Sequence, residues 1–194
     1  MENQVTNAAI NTGFILVIII LFGLLIEGIQ HLLGKSLARL FGAKFANTFM
    51  NRITFIGVMH HELSHALFAL LTGAKITAIH LFKPDEQTGS LGSVSYATRG
   101  PLVLRAIQST LASMAPTICG TISVICICKF GFSDVIWKNI LFGCLLLCIV
   151  IHMNMSTQDI KVALKGLPIC LLILFVIFYY AKIDIISSLL ETIK

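Results

Sequence analysis

The chain has 194 residues, 57% hydrophobic and only 12% charged, with a formal net charge of +5 and a mean hydropathy of +0.92. That composition excludes an ordinary water-soluble domain and points to a single multi-pass membrane domain. The positive excess is small and spread over loops. With no dense basic tract it argues against nucleic acid as a partner and bears instead on membrane orientation.

Residues 1–12 contain no Lys or Arg, and the apolar run behind them is longer than that of a signal peptide. A retained first span is therefore expected over residues 13–33. It closes at Gly34 and a basic stretch with Lys35, Arg39, Lys44 and Arg52. Glu27 lies near the end of this run, where its carboxylate can reach the interface, and His31 is closer still. The second span is expected over 53–72, closed by Thr72-Gly73.

Residues 75–98 change character. Their Ile, Val, Thr, Ser and Tyr content predicts a β-hairpin with strands near 76–82 and 91–97, joined by the turn-rich residues 83–89. The alternation is imperfect, so neither face is assigned to the core. A third span is expected over 101–128, bent at Ser113-Met114-Ala115-Pro116, where the proline removes a backbone hydrogen bond and neighbours must satisfy the freed carbonyl. Ala112, Ser113, Ala115 and Gly120 would let another helix approach closely.

A fourth span is expected over 135–153, with Trp137 at an interface, and a fifth over 167–181, with Tyr179 and Tyr180 as belt residues. Residues 182–194 either continue that helix or lie on the surface. The six cysteines all fall in apolar segments without Cys-x-x-Cys spacing, and are read as small hydrophobes. The expected fold is an all-α polytopic membrane protein of about five transmembrane helices, with a small β-hairpin inserted after the second.

Inside the second span stands His60-His61-Glu62-Leu63-Ser64-His65. On a helix, His61 and His65 lie one above the other, as two imidazoles must to share a metal ion, and Glu62 flanks the same site. This is the H-E-x-x-H spacing, in which two histidines hold zinc and the glutamate takes a proton from water. His61 falls about 12 Å along the helix from Ile53, well inside a hydrocarbon core about 30 Å thick. Polar, titratable residues at that depth are retained where they pair, line water or bind something. The bland alternative is a polar patch that packs helices together. His60 points about 100° away from His61 and is not assigned to the metal.

Catalytic zinc needs a third protein ligand. Outside the motif the candidates include Glu27, His31, His80, Asp85, Glu86, Asp134, His152, Asp159 and Asp184. Asp159 is preferred, because it follows a Ser-Thr-Gln stretch able to cap a helix at a break between spans. The competing reading is a carboxylate at a helix N-terminus facing water.

Taken in order, His61-Glu62-Leu63-Ser64-His65, a hairpin, Ser113-Met114-Ala115-Pro116, and Asn154 followed by Asp159 resemble the site-2 protease family of intramembrane zinc metalloproteases, over roughly residues 53–165. The resemblance implies zinc held by His61, His65 and Asp159, with Glu62 catalytic. It further implies a substrate segment added to the hairpin edge at Ser93, Val94 and Ser95, with Asn154 bonded to the substrate backbone or the developing oxyanion. Asn154 as a cap or interhelical contact is the other reading. The chain departs from the family pattern at Ile160, where a glycine is usual, and at Ala115-Pro116, where Gly-Pro is usual.

The implied partners are the bilayer and a membrane-protein or hydrophobic-peptide substrate, and the implied location is the cell membrane. The charge count places the hairpin outside and the resemblance places it on the cytoplasmic side, so orientation stays open. Two other classes remain: a metal-ion or proton transporter, which would be expected to repeat its broken helix in both halves, and a catalytically silent binding protein, which would be expected to lose Glu62 or a ligand.

Overall fold

The computed structural model describes residues 2–81, 92–186 and 188. Six α-helices and a two-stranded sheet make up these residues: α1 (Glu2–Phe41), α2 (Ala43–Thr48), α3 (Phe55–Leu71), β1 (Lys75–His80), β2 (Ser93–Ala97), α4 (Leu102–Phe130), α5 (Ile136–His152) and α6 (Thr157–Ala181). A π-helical turn, Phe49–Ile53, joins α2 to α3. The expected hairpin turn at 83–89 lies outside the described residues.

Three helices are long and apolar enough to cross a membrane, Asn3–Phe41, Leu102–Phe130 and Thr157–Ala181, whereas α3 and α5 are apolar but have only 17 residues each. Their outward faces are hydrophobic. Leu21, Leu24 and Leu25 on α1 and Ile136, Trp137 and Ile140 on α5 are all more than half exposed. Apolar surface on this scale is suited to lipid rather than water.

Two spans begin well before the apolar runs that announce them. Helix α1 extends past the expected 13–33 at both ends, and α6 starts at Thr157 rather than near 167. Hydropathy reports where a chain is greasy, whereas caps and turns decide where a helix starts. In α6, Ser156 and Asp159 form a reciprocal capping box, and Lys161 and Lys165 fit within the first turns behind it. Prolines do not end either long helix: Pro116 lies inside α4 and Pro168 inside α6.

The bundle closes on small residues, as helices surrounded by lipid do. A Cβ added at Gly57 of α3 would stand 2.0 Å from the Cys148 carbonyl oxygen of α5. One at Gly120 of α4 would meet Met153 at 2.4 Å, and one at Gly166 of α6 would meet the Thr110 hydroxyl of α4 at 2.4 Å. These contacts set α3 against α5, α4 against the end of α5, and α6 against α4. Helix α1 runs along α6, held by amide side chains: Gln4 donates to the Tyr179 carbonyl (2.5 Å) and the buried Asn11 to the Ile183 carbonyl (2.8 Å). Gln30 donates to the Ile151 carbonyl at the end of α5 (2.7 Å).

The strands pair antiparallel, from Lys75 opposite Ala97 to His80 opposite Ser93, with an irregularity between Ile76 and Ala78. That bulge accounts for the imperfect alternation in the sequence. Ile76 and Tyr96 pack over Ala69, Ala74 and Ala112, which seats the sheet on α3 and α4.

Candidate metal centre

Each first contact in the site follows from a place where a helix leaves a backbone group without its usual partner. His61 and His65 share one face of α3, with ring centroids 4.7 Å apart. His61 Nδ1 is 2.7 Å from the His152 carbonyl, which belongs to the last residue of α5, where carbonyls have no helical partner. His65 Nδ1 is 2.7 Å from the Ala112 carbonyl, four residues before Pro116 in α4. Carbonyl oxygens only accept, so both Nδ1 atoms carry a proton, and each ring, when neutral, presents an Nε2 lone pair. These two Nε2 atoms lie 3.1 Å apart.

Asp159 comes to the same point from the first turn of α6. Its Oδ1 is 3.4 Å from His65 Nε2 and its Oδ2 is 3.7 Å from His61 Nε2. Oδ2 also accepts from the Ser156 amide (2.8 Å) and hydroxyl (2.6 Å), while the Asp159 amide donates to the Ser156 hydroxyl (3.1 Å). The three side chains offer one ligand atom each, all within 4.8 Å of one another, and among the described residues no other His, Cys, Asp and Glu group converges in this way.

Two ring nitrogens and a carboxylate suit zinc. Both rings donate their second nitrogen to a carbonyl, the arrangement that orients metal-ligating histidines. Lone pairs facing one another at this distance repel unless a cation sits between them. The residues present therefore fit the metal that the spacing implied.

Glu62 is buried at 8% exposure and lies beside the three ligand atoms without joining them. The Val94 backbone of β2 lies beside its carboxylate. Gly92 makes that approach possible, since a Cβ there would stand 2.7 Å from Glu62 Cγ. A cleft of about 1070 Å³ opens over the centre. Its walls include His61, Glu62, His65 and Asp159, with Ser93, Val94 and Tyr96 from β2 and Asn154 from the α5–α6 junction.

The other expected site residues divide. Ser93 and Val94 face the cleft, whereas Ser95 is exposed, pairs with Ala78 and is not among the residues lining it. Asn154 lines the cleft, and its Oδ1 accepts from the next amide, that of Met155 (3.0 Å). Glu27 and His31 are exposed on α1 and do not line the cleft. His60 turns to α4, 3.0 Å from the Ser123 hydroxyl.

His152, a third-ligand candidate in the sequence, enters through its backbone carbonyl, while its ring lies 2.8 Å from the Thr54 hydroxyl. Tyr96 was not anticipated. Burial holds its phenol above the ordinary value, against a hydrogen bond from Ser113 and aided by the nearby Asp159 carboxylate, so it is a protonated hydroxyl at neutral pH. Aromatic enrichment in a strand beside a metal motif was the only available signal for it.

No family model, curated protein or solved structure matches this chain.

Proposed function

We propose that the chain is a membrane-embedded zinc metallopeptidase that hydrolyses peptide bonds in or near the transmembrane segments of other proteins or in hydrophobic peptides, as the resemblance to site-2 proteases implies. One observation carries the reading. The Nε2 atoms of His61 and His65 face each other at 3.1 Å with the Asp159 carboxylate beside them, and Glu62 stands next to the three outside that group.

The five apolar helices α1, α3, α4, α5 and α6 are the spans in this reading. The 17 residues of α3 and α5 sit at the short end of what can cross a bilayer. His61, His65 and Asp159 would hold a zinc ion, which would supply Lewis acidity and make a water easier to deprotonate. Glu62 accepts the proton of the attacking water and returns it to the nitrogen of the leaving amine.

A peptide bond within a transmembrane helix is shielded by its own hydrogen bonds, so the substrate must unwind locally before attack. Strand β2 lines the cleft at Ser93, Val94 and Tyr96, and an unwound segment laid along it would exchange helical bonds for strand pairing. Asn154, at the α5–α6 junction, lines the same cleft, and in this reading it would bond the substrate backbone.

The test is reconstitution of the purified chain with zinc and candidate membrane peptides, beside Glu62→Gln. The variant is expected to keep zinc and lose cleavage. Metal flux across the vesicle without cleavage would favour transport, and equal cleavage by the variant would remove Glu62 from the mechanism.

A further inference from the structure

A proline inside a helix has no N–H to give, and its ring crowds the carbonyl four residues earlier. In α4 the proline is Pro116 and the carbonyl is that of Ala112. That is the oxygen 2.7 Å from His65 Nδ1. All three residues are buried, with Ala112 at 0% and His65 at 7% exposure. Ala112 packs with Ala69 and Ala74, and an unpaired carbonyl at such a buried position would be unfavourable. Helix α4 nonetheless runs unbroken from Leu102 to Phe130. The proline therefore removes one hydrogen bond without ending the helix.

We propose that Pro116 is a positioning residue of the metal centre: by withholding an amide from Ala112 it reserves that carbonyl for His65, and so fixes which nitrogen of His65 faces His61 and Asp159. This rests on the metal-binding reading above, and deepens it by assigning the orientation of one ligand to a residue on another helix. An amide at position 116 would compete with His65 for the Ala112 oxygen. The imidazole would then lose the partner that keeps its Nδ1 protonated and its Nε2 lone pair turned inward.

Two variants separate the missing amide from the shape of the ring. Pro116→Ala restores the N–H, and the α-hydroxy acid analogue of alanine at 116, an ester with neither ring nor N–H, does not. Zinc affinity is read by competition with a metallochromic chelator in detergent, and the His65 tautomer by the nitrogen NMR shifts of ¹⁵N-labelled histidine. Pro116→Ala is expected to weaken zinc binding about 10- to 100-fold and to lose the Nδ1-protonated signature, while the ester stays within about threefold of wild type.

A folded Pro116→Ala with wild-type affinity and tautomer overturns the proposal. So does an ester variant that loses zinc as fully as the alanine variant, because ring shape would then be the cause. Should Pro116→Ala not fold, the ester variant decides alone, since it must bind zinc as wild type does. A wild-type chain that binds no zinc sinks the metal reading instead, which is a different result from any of these.

Discussion

Ser156 and Asp159 hold each other in place: the Ser156 amide and hydroxyl both donate to Asp159 Oδ2, at 2.8 and 2.6 Å, and the Asp159 amide donates back to the hydroxyl at 3.1 Å. One carboxylate oxygen is thus anchored, and Oδ1 is left 3.4 Å from His65 Nε2. The contacts that cap α6 thus also hold the Asp159 carboxylate in the candidate metal centre.

Ser156→Ala should therefore weaken zinc binding about 10- to 100-fold, the usual effect of removing an outer partner of a metal ligand. Ser156→Thr, which keeps the hydroxyl, should recover most of it. Ser156→Asp is the discriminating variant, because Asp caps a helix well yet repels the Asp159 carboxylate. Wild-type zinc affinity in Ser156→Asp, measured by chelator competition, would reduce Ser156 to a cap.

Asp159→Ala and His152→Ala should part company. The first removes a ligand atom, and its loss of zinc should exceed the about 10- to 100-fold expected of an outer partner. The second removes a ring that contacts Thr54 but keeps the backbone carbonyl that accepts from His61. Its zinc affinity should stay within about tenfold of wild type. The reverse order in a titration of both variants would make the His152 ring the third ligand.

Gly57 sets the distance between α3 and α5. A methyl there would stand 2.0 Å from the Cys148 carbonyl oxygen and 2.5 Å from His152 Cδ2, so the helices must separate. Gly57→Ala should cost about 1–3 kcal/mol of stability, typical of overpacking. It should also draw the His152 carbonyl away from His61. A thermal melt in detergent together with zinc stoichiometry checks both; a variant with the wild-type melting temperature and full zinc would contradict the close approach.

Gly92 does for Glu62 what Gly57 does for His61. A Cβ at Gly92 would lie 2.7 Å from Glu62 Cγ and 3.2 Å from the His80 carbonyl oxygen. Glu62 must shift, while the ligands need not. Gly92→Ala should thus cleave peptide about 10²-fold more slowly, as a misplacement of about 1 Å can cause, with zinc retained. Loss of zinc alongside activity would show that the strand also supports the ligands.

Zinc should stabilise the fold, since the three proposed ligands come from the two separate helices α3 and α6. At a free concentration 100 times Kd the gain is about 2.7 kcal/mol. A chelator should lower the melting temperature of the wild type and leave that of a His61→Ala/His65→Ala variant unchanged. An equal shift in both would trace the effect to the chelator.

The chain alone determined the apolar composition, the apolar helices and the placing of His61 and His65 on one face, because each depends on composition or on neighbours within about a helical turn. Even the capping box was half legible, in Ser156-Thr157-Gln158-Asp159. Helix limits were less so: α6 starts ten residues ahead of the expected 167, where polar residues hid a well-capped helix from a hydropathy reading.

What only the tertiary structure decided is which distant groups meet the motif. Ala112, His152 and Asp159 stand 47, 91 and about 100 residues along the chain from their histidines. Periodicity carries no information over such separations. Close approaches at Gly57, Gly120 and Gly166 set the helix spacing, and that spacing brings the Ala112 and His152 carbonyls and the Asp159 carboxylate to the rings. Hydrogen bonds and ligand contacts form only within a few ångströms, so the centre belongs to the packing of the helices and not to any one of them.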